Sequence, residues 1–401
     1  MHEDPSMPES ELEFTAPDLF AAPLANAAGL PRVWGSCARY VQGPGVFGQM
    51  GHYANRLGFS RCGVLLSQRS HGAEGGAIIA SLESEDVGVV AAHFHGECTR
   101  AEIEAQAARL RATEQPVDAV VAIGGGKVID AGRAVAHRLG VPVIVAPTLA
   151  SNDAPGACLS VIYTEDGATE DAEIYDANPA LVIIDSIVVA QAAPRYLAAG
   201  IADALATWYE ARATRNAPMG VTVFGAAPTR TGTIVARHTA ELIYENGAAA
   251  MAAVTKGVPD AALEDIIEAN TLLSSLGVEN GGLALAHAVA QGYSLIPAVH
   301  DRFLHGEMVA MGIVTQLAAE GDRNEAEKAA GFLSALGLPV CLDDLGLSSD
   351  SAEIGTLIAG TMAFPFLGNL PFEMTAERTR QAVVEADRIG QAQRAAARQS
   401  A

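Results

Sequence analysis

Short apolar runs alternate with helical periodicity through the first half of the chain, and then helical periodicity continues alone. Between Arg32 and about Pro194 the runs are Gly63–Leu66, Val89–Phe94, Ala119–Ile123, Val143–Ala146 and Leu181–Ile184. Runs that are apolar throughout suit strands buried on both faces. With helical stretches between them they predict βαβ units and a parallel sheet covered by helices. Beyond Pro194, Ala and Leu recur at helical spacing over Arg195–Thr214, Thr231–Tyr244, Asp260–Leu276, Gly282–Tyr293, Gly306–Glu320 and Glu325–Leu336. This pattern predicts an α/β domain over residues 32–190 and an all-helical domain over 191–401, with the boundary near Asp185–Arg195. The cleft between them is the expected ligand site. Residues 1–31, acidic and rich in Pro and Ala, read as an extension with no assigned role.

Composition narrows the function classes. The 401 residues are 50% hydrophobic, enough for a sizeable core, and the formal charge is −22. An acidic chain of this kind is a poor partner for nucleic acid or for an anionic membrane surface. Five scattered cysteines, with no C-x-x-C pair, argue against a disulfide framework or a thiolate zinc site and for a reducing cytoplasm. The chain carries no signal-like start and no apolar run of membrane-spanning length. A cytoplasmic location is expected.

Candidate chemistry begins with Ala119–Ala136, AVVAIGGGKVIDAGRAVA, where Gly124, Gly125 and Gly126 sit between a buried strand and a helix. Glycines there permit close approach of a phosphate, and the helix N-terminus offers free N–H groups to an anion. Lys127 could add charge, and Asp130 could hold the loop or a ribose. The spacing is neither G-x-G-x-x-G nor a P-loop, so a tight βα turn without a ligand stays open as the alternative. The next strand opens into VAPTLASNDAP, Val145–Pro155, at the carboxyl end where ligands of open α/β sheets collect. Thr148 and Ser151 can offer hydroxyls to a cofactor and Asp153 can grip a substrate hydroxyl; ordinary loop capping would use the same residues.

Three further residues lie in apolar helical surroundings: Asp203 in Leu197–Trp208, His287 in Gly281–Tyr293 and His305 in Arg302–Gly312. A buried carboxylate is costly unless paired or bound to a cation. One carboxylate and two imidazoles suit Zn²⁺ with a fourth position open to substrate oxygen, and Fe²⁺ takes the same donors. Singly, each histidine reads as readily as a satisfied core or capping residue. Together, on separate helices and without evident sequence-local partners, they read as a ligand set.

From about Tyr40 to Ala386 the chain resembles the glycerol dehydrogenases of the metal-dependent, iron-containing alcohol dehydrogenase superfamily. The resemblance rests on ARYVQG (Ala38–Gly43), IGGGKVID, PTLASNDAP and LSVIYTEDG (Leu159–Gly167). It continues in GIADALATWYEARA (Gly200–Ala213), ANTLLSSLGVENGGLALAHAVAQG (Ala269–Gly292) and LHGEMVAMG (Leu304–Gly312). It implies a dehydroquinate synthase-like fold, a nicotinamide-binding α/β domain followed by a helical metal domain. It implies metal ligation by Asp203, His287 and His305, and cofactor contacts by Gly126, Lys127, Asp130, Thr148, Ser151, Leu159 and Tyr163. Asp153 falls on a substrate-contacting position. The implied activity is oxidation of a secondary hydroxyl of glycerol or a related diol, with hydride passing to NAD and with the metal as Lewis acid. Family members form homo-oligomers.

Three departures stand out. Where the family has an acidic residue ending the strand that starts near Gly63, this chain has Ser67, followed by Arg69. That exchange favours dual or NADP-preferring cofactor use. The hydroxyl-rich stretch after Asp-Ala-Pro is here Gly156–Ala157–Cys158, which leaves the substrate open. The residues before about Arg32 have no family counterpart. The rival readings are a dehydrogenase or reductase of 2-hydroxy or 2-keto acids, which would need a cation such as Arg302 or Lys127 for the carboxylate, and a non-catalytic binding module.

Overall fold

The structure, a computed structural model, describes residues 30–165 and 167–400. The expected extension over residues 1–31 therefore lies outside the described residues except at its last two positions. Six parallel strands form the main sheet: β1 (Tyr40–Gly43), β2 (Arg61–Ser67), β3 (Gly88–Phe94), β4 (Ala119–Gly124), β5 (Val143–Pro147) and β8 (Leu181–Asp185). Their spatial order is β1-β8-β5-β4-β2-β3. Four of the expected runs form its centre, and β4, β5 and β8 are buried at every position, whereas the run Val89–Phe94 is the edge strand β3 and is mostly half-buried. Successive side chains divide between the faces: Val120, Val143, Val145 and Val182 enter one core cluster, while Ala119, Val121, Ile144 and Ile183 enter another. That is the period of two that a strand imposes.

The sequence pattern left out β1 and an antiparallel hairpin of β6 (Leu159–Tyr163) and β7 (Thr169–Ile174), separate from the main sheet. Arg138, on the helix Gly126–Leu139, ties this hairpin down through Glu173 at 2.7 Å. Arg100 reaches Glu170, Asp171 and Glu173 on the same hairpin.

The helices of eight residues or more begin with α1 (Glu74–Ser84), α2 (Arg100–Arg111) and α3 (Gly126–Leu139) around the sheet. The region after the last strand is helical: α4 (Pro194–Asn216), α5 (Arg230–Lys256), α6 (Ala261–Glu268), α7 (Ser274–Gly281), α8 (Leu285–Ser294), α9 (His305–Glu320), α10 (Arg323–Ala335), α11 (Ile354–Met362) and α12 (Ala376–Ser400). This is the expected fold class, a parallel α/β region followed by a helical one. α4 is buried over most of its length and carries Asp203 and Glu210.

Some expected boundaries move, each for a local reason. The helix expected to end at Tyr244 runs on to Lys256 along the Ala-rich stretch Ala248–Ala253. The helix expected over Asp260–Leu276 continues to Gly281 and contains a π turn at Ala269–Leu273. Within that turn Asn270 Nδ2 donates to Ala150 O at 2.9 Å, and Thr271 Oγ1 meets the Tyr40 hydroxyl at 2.9 Å. The turn thus aims polar groups at the α/β region. The helix expected from Gly282 starts at Leu285, because Gly282 adopts φ of 101° and breaks the path. The segment Arg32–Cys37 packs on the helical region: Arg32 bridges Ala227, and Gly35 N donates to Asn280 Oδ1 at 2.8 Å.

Candidate active site

Three helices bring three donors together. Asp203 lies in the third turn of α4, His287 near the start of α8 and His305 at the first position of α9. One donor atom from each lies within 4.8 Å of the others. Asp203 Oδ1 stands 3.3 Å from His287 Nε2 and 3.4 Å from His305 Nε2. It is fully buried yet makes no hydrogen bond. A buried carboxylate oxygen facing two imidazole nitrogens without a hydrogen bond is what a cation site looks like from the protein side. The side chains of Asp203 and His287 are buried, whereas His305 is 49% exposed and opens the cluster to the cavity.

The approach of α9 to α4 depends on glycine. A Cβ at Gly306 would stand 1.9 Å from Ala199 O, so only glycine lets the first turn of α9 rest on α4 one turn before Asp203. Gly200, on α4 itself, lies as tightly against Ala150 O, at 2.0 Å from where its Cβ would be. These contacts join the helical region to the strand-end segment that carries Asp153.

Sequence reasoning missed Glu210, two turns after Asp203 on the same helix. Its Oε1 accepts from the main-chain N of Ala284 and of His287, each at 2.9 Å, and so caps α8. Its Oε2 lies 2.5 Å from His287 Nδ1. With Nδ1 protonated toward Glu210, Nε2 keeps its lone pair for the cluster. The spacing Asp-x₆-Glu along one helix was the available signal, since residues seven apart share a face.

The cluster is strongly polarised. Burial opposes ionisation of Asp203, but His305 and His287 outweigh it and hold the carboxyl well below its ordinary range. Burial also opposes protonation of His287, but Glu210 and Asp203 hold its pKa well above the usual value. Asp153 is pushed up to about 7 by burial and then by Asp203 beside it. Its main-chain N donates to Asp203 Oδ2 at 3.1 Å.

A cavity of about 1080 Å³ runs from this cluster to the carboxyl end of the sheet. Its lining takes in His287, His305 and Asp153 of the cluster region, then Gly125, Gly126, Lys127, Ser151, Leu159 and Tyr163, and also Ser67 and Arg69 from the end of β2, which lies beyond β4 from β5 in the sheet. Gly124 and Thr148 are set one layer back, joined by Thr148 N donating to Gly124 O at 3.0 Å. A Cβ at Gly126 would press on Asn152 Nδ2 at 2.9 Å, so the turn and the Ser151–Asp153 segment are in mutual contact.

Two candidates already have protein partners. Lys127 Nζ pairs with Glu97 at 2.5 Å and lies over the Tyr163 ring. Asp130 is buried and pairs with Arg133 at 2.9 Å. Arg133, also missed in the sequence, carries its guanidinium on to Leu159 O and, at 2.6 Å, to Ala154 O. It therefore holds α3 against the segment that lines the cavity. Gly156 and Cys158 are clamped from α7: Gly156 N donates to Ser275 Oγ at 3.2 Å and Cys158 N to Glu279 Oε1 at 2.5 Å. All five cysteines are free and buried. Among the described residues no helix is long and apolar enough to cross a membrane.

Residues 37–186 match the iron-containing alcohol dehydrogenase family. The chain is 39% identical to a glycerol dehydrogenase of Pseudomonas putida over 89% of its own length and 97% of that protein. It is 37% identical to a glycolaldehyde reductase of Halobacterium salinarum, over 89% of this chain and 98% of that one. Among solved structures it is similar to a probable glycerol dehydrogenase from Sinorhizobium meliloti, with TM-score 0.83 and 35% identity, covering 90% of this chain and 99% of that one. Similarity over about nine-tenths of the chain, the parallel sheet and the three-donor cluster agree: this protein belongs to the iron-containing alcohol dehydrogenase family.

Proposed function

We propose that the protein is a metal-dependent polyol dehydrogenase that interconverts glycerol and dihydroxyacetone with a nicotinamide dinucleotide. The observation that carries the reading is the buried Asp203–His287–His305 cluster opening into the same cavity that the Gly124–Lys127 turn borders. Asp203, His287 and His305 would hold a divalent ion, Zn²⁺ or Fe²⁺, and Gly125, Gly126, Ser151, Leu159 and Tyr163 would hold the dinucleotide. When bound, the ion supplies Lewis acidity that lowers a hydroxyl pKa, and the nicotinamide supplies the hydride acceptor.

The chain's own residues do the rest. Glu210 fixes the tautomer and the ring plane of His287. Asp153, lining the cavity next to Asp203, is positioned to hold a second substrate hydroxyl, and this suits a polyol better than a simple alcohol. Asp130 and Arg133 support the turn and Leu159 from behind. Apolar side chains, Leu159, Phe303 and Met308 among them, line much of the cavity and limit water around the reacting atoms.

The test is hydride transfer by chelator-stripped protein with glycerol, with and without added Zn²⁺ or Fe²⁺, using NAD⁺ and NADP⁺ in parallel. Activity restored by one metal supports the reading. A metal-loaded protein that is inert on glycerol and on related diols sinks it.

A second reading, a reductase or dehydrogenase of small 2-hydroxy acids or aldehydes, is favoured by Arg302. It lines the cavity and makes no ion pair among the described residues, so it could receive a carboxylate. Loss of Arg302 should leave glycerol oxidation intact and impair only an anionic substrate. Assembly into a homo-oligomer follows from the likeness to the family, and light scattering would test it. The buried free thiols suit a reducing, cytoplasmic compartment.

A further inference from the structure

The part of the cavity at the carboxyl end of β2 has a charge pattern of its own. In the sheet, β2 is followed by β3 on one side and β4 by β5 on the other. Connections leaving the carboxyl ends of β2 and β4 therefore diverge, and a ligand crevice opens between them. Leu66 pairs with Ile123, which sets Ser67 beside Gly124. A dinucleotide with its pyrophosphate at the Gly124–Lys127 turn would extend its adenosine ribose over the end of β2.

On that side the cavity is lined by Ser67, Gln68, Arg69, Phe94, His95 and Gly96, none of them acidic. A ribose with a free 2′-hydroxyl is held by a carboxylate at this place, whereas a guanidinium suits a 2′-phosphate. Arg69 is exposed and ion-pairs with no carboxylate among the described residues. Of the other basic side chains along the cavity, Lys127 is held by Glu97 and Arg195 by Glu307. Arg302, also without an ion pair among the described residues, comes from the helical region and not from the end of β2. In a chain with 47 acidic and 25 basic residues, a cavity-lining arginine without a counter-ion points to a charge brought by the ligand. Ser67 Oγ accepts from Ser70 N at 3.1 Å and shares a hydrogen bond with Ser70 Oγ at 3.1 Å, so a proton can reach an incoming acceptor when Ser70 donates in that pair.

We infer that Arg69, assisted by Ser67, selects a dinucleotide carrying a 2′-phosphate on its adenosine ribose. The inference rests on the dinucleotide reading above and deepens it. A carboxylate would repel the phosphate there; the guanidinium and hydroxyl together offer it charge and donors, and they offer a bare 2′-hydroxyl little.

Fluorescence titration of the protein with NADPH and with NADH reads this directly, without turnover. The protein should bind NADPH at least as tightly as NADH. Arg69→Ala should weaken NADPH by about tenfold or more, as expected for a lost charge-assisted contact, and leave NADH within about twofold. The preserved NADH affinity also shows that the variant folds. Ser67→Asp should turn the preference toward NADH. Adenosine 2′,5′-bisphosphate should compete better than adenosine 5′-phosphate, with an advantage that shrinks as salt rises. A ratio of the two affinities unchanged by Arg69→Ala, or a clear NADH preference before substitution, overturns the assignment while leaving the dinucleotide reading intact. Failure of both nucleotides to bind overturns both.

Discussion

Glu210 Oε2 lies 2.5 Å from His287 Nδ1, while the other carboxylate oxygen of Glu210 caps the helix on which that histidine sits. One buried side chain thus sets the position of a helix and the tautomer of its histidine. Glu210→Gln keeps a cap-capable oxygen but sets an amide N–H against Nδ1–H. The ring then relieves the clash by moving its proton to Nε2, the atom that faces Asp203. Metal affinity should fall by about 10- to 100-fold, with the circular dichroism spectrum unchanged. Equal metal affinity in the variant, by competition with a chromophoric chelator, would remove Glu210 from this role.

Metal binding should be strongly pH-dependent. His287 is held well above its ordinary pKa by Glu210 and Asp203, against the effect of burial, so the metal-free cluster carries a proton where a cation would sit. Binding must expel it. Raised pKa means that the proton is retained until high pH, so apparent affinity rises with pH by up to about tenfold per unit for each proton released. Calorimetry in two buffers of different ionisation enthalpy counts those protons; a count of zero contradicts the arrangement.

Gly306→Ala should damage both fold and site. The added methyl would meet Ala199 O at 1.9 Å, and backbone on both sides must shift. The expected cost is about 1–3 kcal/mol. Weaker metal binding should accompany it, because the shift parts His305 from Asp203. Gly355→Ala is the matched control: it lies on an exposed face of α11 with nothing near the new Cβ, and it should stabilise by about 0.5–1 kcal/mol. Thermal denaturation compares the two directly.

The Asp130–Arg133 pair makes a fourth test. Arg133→Met leaves a buried carboxylate and two main-chain carbonyls without their donor, at a cost of about 3–5 kcal/mol. A double variant with Asp130→Asn should recover part of that loss. Burial raises the Asp130 pKa to about 6, with Arg133 opposing but not prevailing. A raised folded-state pKa contributes stability at pH values below the ordinary carboxylate range. That contribution is lost as pH rises toward 6. Asp130→Asn should flatten this part of the stability profile measured by urea unfolding.

Much of the site was legible because its residues break the local pattern. Asp203, His287 and His305 are polar positions in Ala- and Leu-rich helices, and three glycines between a buried strand and a helix mark a turn. Glu210 and Arg133 break the pattern equally, yet the sequence reading passed them over. Glu210 meets its histidine 77 residues on, and Arg133 pairs with Asp130 only three residues away, but nothing local distinguishes a buried charge from a solvated one. The hairpin β6–β7 was missed for a related reason: its half-buried alternation is weak, and charge pairs from Arg100 and Arg138 hold it in place.

By itself the sequence determined the alternation of buried strands and helices, the change to helices alone after Asp185, and the types of donor available to a cation. These follow from periodicity and composition, which act over a few residues. The tertiary structure alone decided that Asp203 Oδ1 meets two imidazoles, that Glu210 turns one of them, and that Lys127 and Asp130 already have protein partners. Those outcomes depend on close packing at Gly200 and Gly306 and on the desolvation of charges that only the folded chain buries. Neither leaves a periodic trace, because packing distance and dielectric are properties of the folded chain.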